Sequence, residues 1–112
     1  GPYSQAVEAG GFVFCSGQIA IDPANNQVLQ VDVAKQTERV LLNIQAVLKN
    51  AGLEFKHIVK TTIFLTDMKD FATVNEIYGR YFPEQPPARS TVAVAGLPKG
   101  VNVEIEVLAK RP

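Results

Sequence analysis

The sequence predicts an α+β fold, in which a mixed β-sheet carries two helices packed on one face. Two stretches place apolar residues at spacings of three and four, as amphipathic helices do. Several other stretches are rich in β-branched and aromatic residues, which is typical of strands. Their order along the chain is ββαβαββ-like, which favours a single domain over residues 1–112.

The first strand candidate is Gly11–Ser16, which is closed by Gly17. Along it, aromatic residues alternate with small apolar ones, as expected for a strand that has two different faces. The following segment, Asp22–Asn26, is interpreted as a turn. Proline presets φ at the start of a turn, and asparagine tolerates the left-handed conformation.

The first helix is predicted over Val33–Ala51. Asp32 is its candidate N-cap, and Gly52 lies where a left-handed C-cap belongs. One apolar stripe runs along this helix and predicts the face that it buries. Its members are Val33, Thr37, Val40, Leu41, Ile44, Val47, Leu48 and Ala51.

A central strand is predicted over Ile58–Thr66, because this segment is dense in β-branched residues. The second helix is predicted over Phe71–Tyr81. Asp70 is its candidate N-cap, and Pro83 stops it, since a helix rarely extends to the residue before proline. Its apolar stripe consists of Phe71, Val74, Ile77, Tyr78 and Tyr81.

Two final strands are predicted over Ser90–Ala95 and Val101–Leu108. In the first and central strands both faces are fairly apolar, although two helices can cover only one face of such a sheet. The other face needs a cover, and a second subunit is the economical one. The sequence therefore predicts an oligomer.

Charge and composition limit the functional classes. Eleven basic and eleven acidic residues cancel without a long run of either sign, which argues against a nucleic-acid or membrane surface. The single cysteine, Cys15, permits no disulfide framework, and a cytoplasmic, reducing compartment is the default expectation. His57 is the only histidine and is expected at the surface, so no metal site is predicted.

Arg89 and Glu104 are the first candidates for chemistry. Arginine is permanently charged, and its planar fork of donors suits a carboxylate. Beside an apolar strand it is costly to bury unless an anion meets it. The pair is consistent with an arginine that grips a small carboxylate ligand and a glutamate that moves protons or positions water. Spacing alone is equally consistent with an ordinary salt bridge.

The chain as a whole resembles the reactive-intermediate deaminase family, also called the RidA or YjgF type. No single motif is diagnostic, but the ordered series is specific and covers essentially all residues. The matching segments are Gly1–Ala6, Ser16–Gln18, Val59–Leu65 leading to Asp67–Met68, Asp70–Phe71, Val74–Asn75, Tyr78, Tyr81–Phe82, Pro87–Ser90, Leu97–Pro98 and Val103–Glu106.

The resemblance implies a chorismate-mutase-like fold and a homotrimer with ligand sites in the clefts between subunits. It also implies hydrolysis of reactive enamines and imines, such as 2-aminoacrylate, to a 2-keto acid and ammonia. No cofactor and no metal are expected, because the imine carbon is already electrophilic. Relatives carry an additional first strand, which is expected to be absent from this 1–112 domain.

Carried over by position, Arg89 matches the arginine that binds the substrate carboxylate, and Glu104 matches the residue associated with water. Tyr3, Ser16 and Asn75 match residues in or around the cleft. Thr91 replaces a cysteine found in many relatives. If this position binds the ligand through its backbone N–H, threonine keeps that role, whereas thiol chemistry is excluded.

Two other functions compete with imine hydrolysis as interpretations of the sequence. One is an RNA-cleaving translation inhibitor, a role also associated with this family. A single histidine and no excess of basic charge give little means to hold or cleave a phosphodiester. The other is a non-enzymatic binder of small carboxylates that uses the Arg89 pocket without turnover.

Overall fold

In a computed structural model that describes residues 1–112, two helices cover one face of a mixed five-stranded sheet. The sheet order is β1-β2-β7-β5-β6, in which only the β5–β6 pair is parallel. The elements are β1 (Ala6–Ala9), β2 (Phe12–Gln18), a small hairpin of β3 (Ile21–Asp22) and β4 (Gln27–Val28), α1 (Val33–Asn50), β5 (Ile58–Leu65), α2 (Phe71–Arg80), β6 (Ala88–Ala93) and β7 (Val103–Lys110).

The predicted α+β class is confirmed, and the first helix begins at Val33 as predicted and ends at Asn50, one residue before the predicted end. Asp32 Oδ1 accepts a hydrogen bond from the Lys35 backbone N–H at 2.9 Å, which satisfies one of the free donors of the first turn. At the other end, Gly52 has φ +75°, a conformation that residues with a Cβ rarely adopt. The turn before α1 likewise contains Asn26 at φ +58°.

Two local predictions are wrong. Asp70 makes no capping hydrogen bond, because α2 is entered through a short 3₁₀ turn in which Asp67 accepts from the Lys69 N–H. Gly17 does not close the first strand. It lies inside β2, beside an irregularity in the pairing with β7 that falls between Cys15 and Gln18.

Several strand boundaries also differ from the prediction. The last two strands occupy Ala88–Ala93 and Val103–Lys110, so the first lies two residues earlier and the second two residues later than predicted. Strand β1 is additional, and its Ala-Val-Glu-Ala sequence has little intrinsic strand preference. It forms because it pairs with β2 over four residues.

The core lies between the sheet and the two helices. Alternate residues of β2, β5 and β7 point toward it, as the period of two predicts. Cys15 is among them and is 8% exposed, as expected for a core residue. The other inward-facing sheet residues are Val13, Thr61, Ile63, Leu65, Val103, Ile105, Val107 and Ala109.

The opposite face of the sheet, called the open face below, has no helix over it. Val7, Phe14 and Val92 are 55%, 50% and 41% exposed on this face. Val7 and Phe14 are direct cross-strand partners, so their apolar surfaces are contiguous. Exposed apolar groups of this kind mark an interaction surface. Neither helix combines the length and hydropathy that crossing a bilayer demands.

Candidate functional site

Arg89 lies at the rim of the sheet, on the edge strand β6, with its side chain held against α2. Its Nη1 donates to Asn75 Oδ1 at 2.7 Å. The guanidinium carbon lies 5.1 Å from the centre of the Tyr78 ring and 5.5 Å from that of Phe71. Aromatic faces attract a cation without neutralising it, so the group is oriented but remains available to an anion.

The aromatic support of Arg89 is itself fixed. The Tyr78 hydroxyl and Thr61 Oγ1 are 2.7 Å apart inside the core. Burial raises the pKa of Tyr78, so this phenol stays neutral at physiological pH. Arg89 takes part in none of the four ion pairs of the subunit. The subunit therefore contains no salt bridge between Arg89 and Glu104, which is the alternative interpretation of this pair.

Thr91 lies two residues after Arg89, on the same side of β6. Its hydroxyl oxygen is buried and has no hydrogen-bond partner within the subunit. A buried hydroxyl without a partner costs about 1–3 kcal/mol, so such groups are normally satisfied by a ligand, water or a neighbouring chain. The position therefore offers an unused polar group beside Arg89.

Glu104 projects from β7 onto the open face and lines a cleft of about 710 Å³. It is the only acidic residue of that cleft, and its carboxylate makes no hydrogen bond or ion pair in the subunit. Partial burial, followed by the nearby charge of Glu106, raises the pKa of Glu104. A carboxylate with a raised pKa is a stronger base, which suits proton transfer near neutral pH.

Tyr3 and Ser16 line the same cleft. Ser16 Oγ donates to the Ser4 carbonyl at 2.6 Å, and the Ser16 N–H donates to the Gln5 carbonyl at 2.9 Å. The serine therefore anchors the N-terminal segment and places Tyr3 at the cleft wall, where this ring is 64% exposed. Its direct contact with a ligand stays a prediction.

Arg89 and Glu104 do not meet within one subunit. Glu104 is paired with Phe64, which is paired with Val92, so two strand spacings, roughly 10 Å, separate β7 from β6. Arg89 lies three residues before Val92, and an odd offset places it on the opposite face of the sheet. The predicted site residues thus form two clusters, Arg89 with Asn75 and Thr91, and Glu104 with Tyr3 and Ser16.

Sequence reasoning missed one structural contributor to the site. An ideal Cβ on Gly17 would lie 2.8 Å from Glu104 Cδ and closer still to Oε2, so a side chain at this position would displace the Glu104 carboxylate. No local pattern indicates this contact, because it depends on β2 and β7 being neighbours in the folded sheet. Among the 112 described residues, no three His, Cys, Asp or Glu side chains converge as a metal site would require. His57 is partly exposed, and its Nδ1 accepts from the Glu54 N–H.

The sequence and the fold match known proteins over nearly the whole of this chain. A family model described as Endoribonuclease L-PSP matches residues 1–111. Protein DfrA of Myxococcus xanthus is 58% identical over 97% of this chain and 85% of its own. The human 2-iminobutanoate/2-iminopropanoate deaminase is 48% identical over 97% of this chain and 80% of its own.

A solved structure shares the fold closely. Escherichia coli TdcF, crystallised with bound serine, superimposes with a TM-score of 0.94 and 44% identity. The match covers all of this chain and 90% of that one. Serine carries a carboxylate and an amino group, so that relative binds a small amino acid.

Proposed function

Because the chain belongs to the Endoribonuclease L-PSP family, which includes deaminases of 2-imino acids, we propose that it hydrolyses reactive imines and enamines. The substrates are 2-imino acids such as the imine tautomer of 2-aminoacrylate, and the products are a 2-keto acid and ammonia. The observation that carries this proposal is 48% identity to a 2-iminobutanoate/2-iminopropanoate deaminase over 97% of the chain.

The site is proposed to form between subunits of a homotrimer. Arg89 lies on an edge strand, whereas Glu104 lies on an open face with exposed apolar neighbours. Packing one subunit's open face against the rim of the next would bury Phe14 and Val92 and bring the two clusters together. A closed ring repeats this contact and completes every site. Residues 1–112 form one domain of such a ring.

Arg89 would bind the substrate carboxylate. Its two-pronged hydrogen bonding fixes the orientation of the carboxylate as well as its position. Asn75 holds the guanidinium from the side, and the unpaired Thr91 hydroxyl or its backbone N–H adds a further donor. Tyr3 and Ser16 would close the cleft around the rest of the substrate.

Glu104 would act as the base and then as the acid. It accepts a proton from water as the oxygen adds to the imine carbon and passes this proton to the imine nitrogen, which gives a tetrahedral carbinolamine. It then accepts the hydroxyl proton of the carbinolamine and delivers it to the amino nitrogen as the C–N bond breaks, so that the oxygen becomes the keto group and ammonia leaves. The balance is imino acid plus water to keto acid plus ammonia. The reaction requires no redox partner.

RNA cleavage, which the family's printed description suggests, is the weaker candidate. The chain has zero net charge and one histidine, and that histidine is engaged with the Glu54 backbone. Strong RNA binding relies on neutralising several phosphates with basic residues.

A cytoplasmic location forms part of the proposal, since the lone cysteine is buried and unpaired.

The experiment generates an imine in situ with an amino-acid oxidase and traps the surviving imine as a semicarbazone. The protein should lower the amount trapped and speed keto-acid release, and Arg89→Ala should abolish this effect. An unchanged rate with several imines and a folded protein would contradict the proposal. Binding of the carboxylate without turnover would instead identify a non-enzymatic binder.

A further inference from the structure

Arg39 is a cationic residue of the Glu104 cleft that the proposed chemistry does not use. It lies on α1, is only partly exposed, and lines the same cleft as Glu104. Its Nε donates to Asn43 Oδ1, one helical turn away, at 3.1 Å. The terminal nitrogens make no hydrogen bond within the subunit, and none of the four ion pairs includes Arg39.

Asn43 fixes the direction in which Arg39 points. Its amide nitrogen donates to the backbone carbonyls of Ile19 and Ile21 at 3.2 and 2.9 Å, so its oxygen is turned toward Arg39. Arg39 also borders a second cleft on the outer side of α1, beside Leu42. Asn43 lines the Glu104 cleft and not the second one, so the hydrogen bond holds the Nε atom of Arg39 on the side of the Glu104 cleft.

A second cation shares this cleft. Lys99 lines it from the 3₁₀ turn Pro98–Gly100 and has no ion-pair partner in the subunit. The cleft therefore contains two unpaired cationic side chains and one carboxylate, Glu104. With a volume of about 710 Å³, it has the size of pockets that hold much larger ligands than a three-carbon acid. A three-carbon imino acid would therefore leave part of the cleft volume unfilled and the side chains of Arg39 and Lys99 without an anionic partner.

We infer that Arg39, assisted by Lys99, binds a negatively charged side chain of the substrate, so that dicarboxylic imino acids are preferred. This inference rests on the proposed function. Arg89 from the neighbouring subunit would bind the carboxylate next to the imine, while Arg39 binds the distal carboxylate. For the imine of aspartate, water adds to the C=N carbon and ammonia leaves, giving the four-carbon keto diacid.

The test compares three imines generated in situ by amino-acid oxidases, from aspartate, asparagine and alanine. Asparagine provides the same shape as aspartate without the distal charge. The variants are Arg39→Gln and, as a matched control, Lys35→Gln, which removes one positive charge from an exposed position on the same helix. The readout is kcat/KM for each imine.

The wild-type protein should favour the aspartate imine over the asparagine imine. Arg39→Gln should lower kcat/KM for the aspartate imine by roughly 10- to 100-fold, the value of a hydrogen bond to a charged group. Arg39→Gln should change kcat/KM for the other two imines by no more than about twofold. Lys35→Gln should change kcat/KM for all three imines by no more than about twofold. Equal effects of Arg39→Gln on all imines, or no effect on any, would overturn the inference. A wild-type protein inactive on every imine would instead overturn the proposed function.

Discussion

The carboxylate of Glu104 occupies the space that any side chain at Gly17 would need. A Cβ at position 17 would come within 2.8 Å of Glu104 Cδ and 3.1 Å of Cγ, distances that real Cβ atoms avoid. Gly17 has no positive φ, so the backbone itself would accept alanine. A side chain at position 17 is therefore incompatible with this position of the Glu104 carboxylate, and the turn geometry that usually explains glycine is not involved.

Gly17→Ala should impair activity while the fold survives. The new methyl group forces the Glu104 carboxylate away, and a displacement of about 1 Å can cost on the order of 100-fold in rate. The measurement is kcat on a simple imine together with the melting temperature. Gly79→Ala is the matched control, since a Cβ there meets nothing within 4 Å. Gly79→Ala should keep full activity, and its free energy of unfolding should rise by about 0.5–1 kcal/mol because alanine replaces glycine within a helix. Full activity of Gly17→Ala would show that Glu104 needs no fixed position.

Arg89→Lys should lose most activity, nearly as much as Arg89→Ala. Lysine keeps the charge but lacks the planar fork that fixes a carboxylate, and it stacks less well on Tyr78 and Phe71. Steady-state kinetics on one imine would measure the loss for both variants. Arg80→Lys, an exposed position on α2, provides the control for the exchange of arginine by lysine. If Arg89→Lys works as well as the wild type, carboxylate binding by a fork is wrong.

Glu104→Gln should lower turnover by roughly 10²- to 10⁴-fold, the usual contribution of a general acid–base group. Glutamine keeps the volume and the hydrogen bonding but accepts no proton, so binding of an unreactive carboxylate should change little. Glu106→Gln is the control, because its exposed side chain lies two residues away on the same face. A damaging Glu106→Gln with a silent Glu104→Gln would mean that the other glutamate is the base.

The pH profile of Glu106→Gln tests the electrostatics of the open face. Burial first, and the charge of Glu106 second, raise the pKa of Glu104. Removing the like charge must lower the pKa of Glu104, so its basic form persists to lower pH. The acid limb of kcat/KM against pH should therefore move to lower pH, with unchanged activity at the plateau. A limb that stays in place or moves upward would show that another group controls it.

The sequence predicted the fold well because its helices and buried strands have strong periodicity. Val33–Ala51 differs from the observed helix by a single residue, since Asp32 and Gly52 mark its ends chemically. Strand β1 was missed because Ala-Val-Glu-Ala has no such pattern, and its pairing with β2 is a long-range effect. Asp70 was misassigned because Asp67 offers the same side chain three residues earlier.

The candidate site was predictable only in part. The residues of both clusters follow from the resemblance, and the face of Glu104 follows from its alternation with Val103 and Ile105. Their separation onto opposite faces depends on the register across β7, β5 and β6, which no local pattern encodes. The orphaned Thr91 hydroxyl and the contact of Gly17 with Glu104 also arise only from tertiary packing.

Each site is proposed to take Glu104 from one subunit and Arg89 from the next. Co-expression of Arg89→Ala and Glu104→Gln chains with different affinity tags, followed by purification on both, tests it most directly. Each variant alone should be nearly inactive. In a ring of three that contains both chains, only one of the three sites takes its Glu104 and its Arg89 from the chains that still carry them, so about a third of the sites should recover. Mixed oligomers that form stably but remain as inactive as either variant would contradict the claim.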